Sequence, residues 1–185
     1  MALTTSPSQA PAGSNMSFQA SVVQAMNRLA QIPEVVFVGQ SLKWDGAAIF
    51  HSLEGVPMSL REEFPVAENL QLGYCTGLSL MGKLPICIYP RMDFLLLAMD
   101  QLVNHLDKFP TFGWKPKVII RCRVGQKTPL DAGPQHTQNH TKALYSMLET
   151  VKVLEVCTPA EVEWAYNEAL KYELSTLIVE NPSGE

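Results

Sequence analysis

The sequence has no excess of basic charge: 14 Lys and Arg stand against 18 Asp and Glu, a net charge of −4. That balance excludes the electrostatic footprint of a nucleic-acid binder. Without a basic run of five or more residues, a polybasic membrane contact is excluded as well. No apolar run is long enough to span a bilayer. No charged region leads into a hydrophobic stretch at the N-terminus, so a secretory signal is not expected. Cysteine is sparse. Cys75, Cys87, Cys122 and Cys157 contain no C-x-x-C pair, and each sits in an apolar stretch, which predicts buried, reduced thiols. These absences together predict a cytoplasmic protein with neither nucleic acid nor membrane as partner. What is present is a globular composition, 46% apolar and 17% charged, over 185 residues. That length suits one domain with a sizeable core.

Met1 to Asn15 carries no charged side chain and is rich in Ser, Thr, Pro, Ala and Gly. Such a segment buries too little apolar surface to offset the entropy of ordering it, so residues 1–15 are expected to form a disordered tail. Met16, where patterning begins, is an alternative start. Ser17 then reads as the N-cap of a helix carrying Val22, Val23, Met26, Leu29 and Ala30, ended by Pro33. Short β-branched runs predict strands at Glu34–Gly39, Pro85–Tyr89, Lys117–Cys122, Val151–Val156 and Thr176–Glu180. Helices are expected over Glu68–Met81 (stopped by Gly82), Asp93–Phe109, about Asn139–Glu149, and from Pro159 after a Thr158 cap. Strands alternating with helices predict a three-layer α/β/α domain over residues 16–185 with a mostly parallel sheet. Ligands in such folds bind beyond the carboxyl ends of the strands, which singles out the loops after Gly39, Tyr89 and Arg123.

Three stretches carry a family resemblance. Phe64-Pro-Val-Ala-Glu68 leads to Gly73, Gly77 and Gly82; Arg91-Met-Asp-Phe94 leads to Asp100-Gln-Leu-Val-Asn104; and Gly133-Pro-Gln-His136-Thr-Gln138 forms a loop. Their order and spacing resemble the pyrimidine-binding domain of thiamine-diphosphate enzymes, as found in the beta subunit of 2-oxo-acid dehydrogenases and the central domain of transketolase. The resemblance implies a transketolase-like fold and a set of site residues. Glu68 matches the carboxyl that hydrogen-bonds the cofactor's pyrimidine ring nitrogen, and apolar neighbours (Val66, Ala67, Leu70, Leu72) are expected to raise its pKa. A carboxylate on the first turn of a helix also favours the helix dipole, whatever else it does.

Phe94 matches an aromatic beside that ring, with Tyr89 as a second wall. His136 matches a loop histidine facing the substrate, suited to proton transfer. Arg91 and Gln138 are further substrate-binding candidates; Arg91 departs from the small or apolar residue usual there. Asp100, Gln101 and Asn104 are expected at a helix contact between subunits. His136 and His140 form an H-x-x-x-H pair, but no third metal ligand is apparent.

The family holds its diphosphate and magnesium through a Gly-Asp-Gly motif on another domain, and no such motif occurs here. Thiamine diphosphate is therefore expected to be shared with a diphosphate-binding, alpha-type partner that carries the magnesium, within a heterotetramer in which the chain also pairs with itself. A C-terminal domain like that of full beta subunits is not expected within these 185 residues, whether because the subunit is split or because the piece is part of something longer. A transketolase-like or sugar-modifying carboligase is the nearest enzymatic alternative. A non-catalytic assembly module that kept the fold is the alternative of another class.

Overall fold

The five apolar runs form strands within a residue or two of their expected limits: β1 (Val35–Gly39), β3 (Leu84–Tyr89), β4 (Ile119–Arg123), β5 (Lys152–Val156) and β6 (Thr176–Glu180). A sixth strand, β2 (Arg61–Glu63), adds to the edge. This computed structural model describes residues 16–127 and 131–182, so the expected tail at residues 1–15 lies outside the described residues. All pairings are parallel and the strand order is β2-β1-β3-β4-β6-β5. β2 escapes a hydrophobicity reading because it is Arg-Glu-Glu. Charged residues are tolerated there because the strand is an edge, with a neighbour on one side only.

Side-chain alternation builds the layers. Phe37, Ile86, Ile88, Ile119 and Ile178 face α1 (Phe18–Leu29) and α6 (Pro159–Lys171), which contribute Val22, Met26 and Tyr166. Val38, Cys87, Tyr89, Ile120, Leu177 and Val179 face the other way, onto Leu72 and Cys75 of α3 (Glu68–Leu80) and Leu95, Leu102 and Leu106 beyond it. The molecule is thus an all-parallel six-stranded sheet with helices on both faces. The cysteines are free, with Cys75, Cys87 and Cys122 buried and Cys157 only half-buried.

Helix ends follow local chemistry. The Ser17 side chain caps α1, accepting from the Ala20 amide at 3.2 Å. Gly82, at φ +85°, turns the chain out of α3, a conformation that disfavours a side chain. Thr158 and Glu161 form a reciprocal capping box at α6, with Pro159 in its first turn.

The single long helix expected over Asp93–Phe109 is broken. It comprises α4 (Met92–Leu95), a 3₁₀ turn (Leu96–Ala98), a π-helical stretch (Asp100–Leu106) and a further 3₁₀ turn (Phe109–Phe112). The Asp107 amide bonds the Leu102 carbonyl five residues back, which widens the coil there. A 3₁₀ turn (Met58–Leu60) and two short helices complete the described residues: α2 (Ala48–His51) and α5 (Thr141–Met147), the latter shorter than the expected Asn139–Glu149.

Candidate functional site

The loops that follow β1, β3 and β4 converge at the carboxyl end of the sheet, around a cavity of about 660 Å³. Its wall includes Ser41 after β1, Pro90, Arg91 and Phe94 after β3, and Gln126, Ala132 and His136 after β4. The volume lies within the usual range for small-molecule sites, roughly 300–1,000 Å³. Gly125 permits the close approach of two of these segments, since a Cβ there would collide with the His136 carbonyl. Gly39 likewise lets the chain leave β1 against β3, where a Cβ would sit 2.7 Å from the Ile88 carbonyl oxygen.

Glu68 opens α3 on the opposite layer from α1, is only 7% exposed, and is not among the residues that line this cavity. The Gln40 amide donates to its Oε1 at 3.1 Å, while the Tyr89 hydroxyl donates to its backbone carbonyl at 2.9 Å. Gln71, one turn on, donates to the Ile88 carbonyl at 3.0 Å and pins the helix start to β3. The apolar setting expected around the carboxyl is different in detail. Val66 and Leu70 are 81% and 62% exposed, and of the four expected neighbours only Leu72 is buried. The burial of Glu68 comes instead from the sheet end and from Gln40 and Tyr89, because consecutive helix residues point in different directions.

Tyr89 is buried to 1% exposure beneath Glu68, so it supports that residue's backbone and does not offer an open ring face as a second wall. Phe94 does line the cavity, and its ring meets that of His136 edge-on at a centroid distance of 5.6 Å. His136 Nδ1 lies 3.0 Å from the Ala132 carbonyl. A carbonyl only accepts, so Nδ1 carries a proton and Nε2 is the ring nitrogen left for another partner.

Gln138 is turned elsewhere: its amide donates to Asp93 Oδ1 at 2.9 Å, tying the loop to α4 outside the cavity. His140 precedes the first residue of α5 and its amide contacts Met92 sulfur, so it shares no helical face with His136. Among the described residues, no group of three acidic, His or Cys side chains could hold a metal ion. Asn104 bonds Asp100 within its own segment at 2.9 Å, and the Gln101 amide packs over Gly73, where a Cβ would be 3.2 Å from its oxygen.

A charged floor went unread in the sequence. Arg121 is buried and forks onto Glu180, with Nε 2.7 Å from Oε1 and Nη2 3.1 Å from Oε2. Its Nη1 donates to Ser52 Oγ at 2.8 Å, and Tyr166 donates to Glu180 Oε1 at 3.2 Å. Burial alone would lower the proton affinity of Arg121, but the charge of Glu180 more than reverses this and holds it above its ordinary value. Arg121, Arg123, Gln19, His51 and Ser52 all reach the cavity. The alternation Ile119-Ile-Arg121-Cys-Arg123 is the signal that puts both arginines on one face of the strand.

No protein-family model matches the chain. It is 25% identical over 173 residues to the 3-methyl-2-oxobutanoate dehydrogenase subunit beta of Mycobacterium tuberculosis, covering 87% of this chain and 49% of that protein. It is 27% identical over 108 residues to the pyruvate dehydrogenase E1 component subunit beta of Gracilaria tenuistipitata var. liui, covering 58% of this chain and 33% of that one. Among solved structures, a split-gene transketolase in the form of an inactive beta4 tetramer superposes with a TM-score of 0.68 and 20% identity, over 91% of this chain and 52% of that one. The chain thus spans about half the length, or less, of these proteins. Sequence and topology agree with the reading from the motifs: the chain is similar to the beta subunits of 2-oxo-acid dehydrogenases and has a transketolase-like three-layer α/β/α fold.

Proposed function

We propose that the chain is the pyrimidine-binding subunit of a thiamine-diphosphate enzyme that decarboxylates a 2-oxo acid and passes on its acyl unit, active only with an alpha-type partner. That partner would hold the diphosphate and its magnesium, and the two chains would assemble as a heterotetramer. The four free cysteines suit the reducing cytoplasm as its setting. When bound, thiamine diphosphate supplies a carbon nucleophile and a sink for the electrons left by cleavage next to a carbonyl. The chemistry of three residues suits its aminopyrimidine half, Phe94 and His136 on the cavity and Glu68 at the start of α3 outside its lining. Glu68 would hold the hydrogen bond to the ring nitrogen, Phe94 would lie against the ring, and His136 Nε2 would exchange a proton with the substrate oxygen.

The observation that carries this reading is the placement of Glu68: a carboxyl 7% exposed, on the first turn of α3, braced by Gln40 and Tyr89 at the carboxyl end of the sheet. An acid that serves only the helix dipole has no need of burial or of such bracing. Bracing removes the cost of reorganising the group at the moment of reaction.

Glu68→Gln in the complex reconstituted with the diphosphate-binding partner tests it. Removing one such preorganised interaction is expected to lower turnover by about 10²–10³, roughly 2.7–4 kcal/mol. Full turnover in the variant complex would overturn the catalytic reading and favour the non-catalytic assembly module.

A further inference from the structure

Three guanidinium groups converge on the cavity, and among its lining residues there is no carboxylate. Arg121 is neutralised from below by Glu180. Arg91 and Arg123 are not. Arg123 spends one nitrogen on the Gln19 side-chain oxygen and one on that of Gln126, both at 3.3 Å. Among the described residues, Arg91 reaches only the carbonyl of its neighbour Pro90, at 3.1 Å. Among the described residues neither arginine has a carboxylate partner.

This arrangement is costly as it stands. Burial pulls the proton affinity of Arg123 below its ordinary value; Glu180 opposes that, and the charges of Arg121 and Arg91 add to it. Two partly buried like charges facing one cavity repel, and each guanidinium keeps N–H donors without an ionic acceptor. Their fork geometry matches the oxygens of a carboxylate or phosphate. A simple 2-oxo acid brings one negative group, the carboxylate adjoining the reacting carbonyl. That single group has to sit at the reaction centre, and it leaves as carbon dioxide. It cannot also serve a pair of arginines throughout the cycle.

Resting on the proposed reaction, we infer that Arg91 and Arg123 form a specificity site for a second acidic group, carboxylate or phosphate, on a carbonyl substrate. His136 and Phe94, in ring contact with each other, line the same cavity and would meet the reacting end of that molecule. Ala47, Ala48 and Ile49 add apolar lining and leave the two arginines to select the charge.

Isothermal titration of the purified full chain with 2-oxoglutarate, xylulose 5-phosphate and pyruvate tests this without cofactor or partner. At least one of the two doubly functional probes is expected to bind about ten-fold or more tighter than pyruvate, the gain from one added charge-assisted interaction. Whichever of the two is preferred identifies the second group as carboxylate or phosphate. Arg91→Gln and Arg123→Gln, each checked for an unchanged thermal melt, should each reduce that preference, and the double variant should abolish it. Equal binding of pyruvate and both probes would overturn the inference, as would a preference that survives the double variant. Because this readout involves no turnover, its failure leaves the reading of Glu68 standing. The reverse also holds.

Discussion

Asp107 is fully buried, and its carboxylate is solvated by backbone instead of water. Its Oδ1 accepts from the amides of Glu149, Thr150 and Val151 at 3.0, 2.8 and 2.9 Å, and Lys108 lies 3.0 Å from Oδ2. Burial by itself would raise its pKa, yet those amides and the Lys108 ammonium hold it below the ordinary carboxylate value. The folded value lies below the unfolded one, so its stabilisation is complete above the unfolded pKa of about 3.9 and is lost as pH falls through the folded value. Asp107→Ala orphans amides that have no other partner at the entry to β5. We expect a loss of about 2–4 kcal/mol in urea unfolding at pH 7, as for hydrogen bonds to a buried charge. We also expect a shallower decline of the variant's stability below about pH 4. A variant as acid-sensitive as the parent would show that other carboxylates carry that dependence.

At the scale of elements, what could be read was what local chemistry writes into neighbouring residues. Thr158, Pro159 and Glu161 announce the start of α6, and the structure completes the box: Glu161 takes the amides of Cys157 and Thr158 at 2.8 and 2.9 Å. Thr158→Ala is therefore expected to cost about 1 kcal/mol. In a domain of this size that lowers the melting temperature by roughly 2–4 °C, readable by calorimetry. Five strands were legible because Val, Ile and Leu run continuously where a strand is covered on both faces. β2 was not, because Arg61, Glu62 and Glu63 are chosen for tasks other than core burial. Arg61 bonds three carbonyls, those of Leu42, Leu53 and Val56, and Glu63 takes the amides of Ser41 and Lys43. The break in the 92–106 segment was equally hidden, since a π-helical widening changes hydrogen-bond partners without changing the apolar spacing enough to notice. Glu68, Phe94 and His136 stood out through their motifs. Arg123 and Gln40 did not, because a polar residue next to a strand end gains its meaning only when loops distant in sequence meet.

For the whole molecule, the distribution of apolar surface bears on assembly. Leu70 on α3 is 62% exposed, and Leu97, on the 3₁₀ turn that packs against α3, is 64% exposed. Leu96 and Tyr74 in the same two segments are also partly bare, at 40% and 37%. Large apolar side chains gathered on adjoining segments are the mark of a contact surface, whereas single ones are ordinary. The occupant favoured here is a second copy of this chain, the self-pairing proposed within the heterotetramer, because helix faces of this kind bury one another around a two-fold axis. Neither leucine supports the core, so Leu70→Glu with Leu97→Glu should leave the far-UV circular dichroism and the melting transition nearly unchanged, as surface substitutions do. Sedimentation is the deciding measurement. The parent chain should run above its 20.5 kDa monomer mass and the double variant at that mass. A parent that sediments as a monomer at every concentration tried, or a double variant that still associates, would exclude this face as the self-pairing surface.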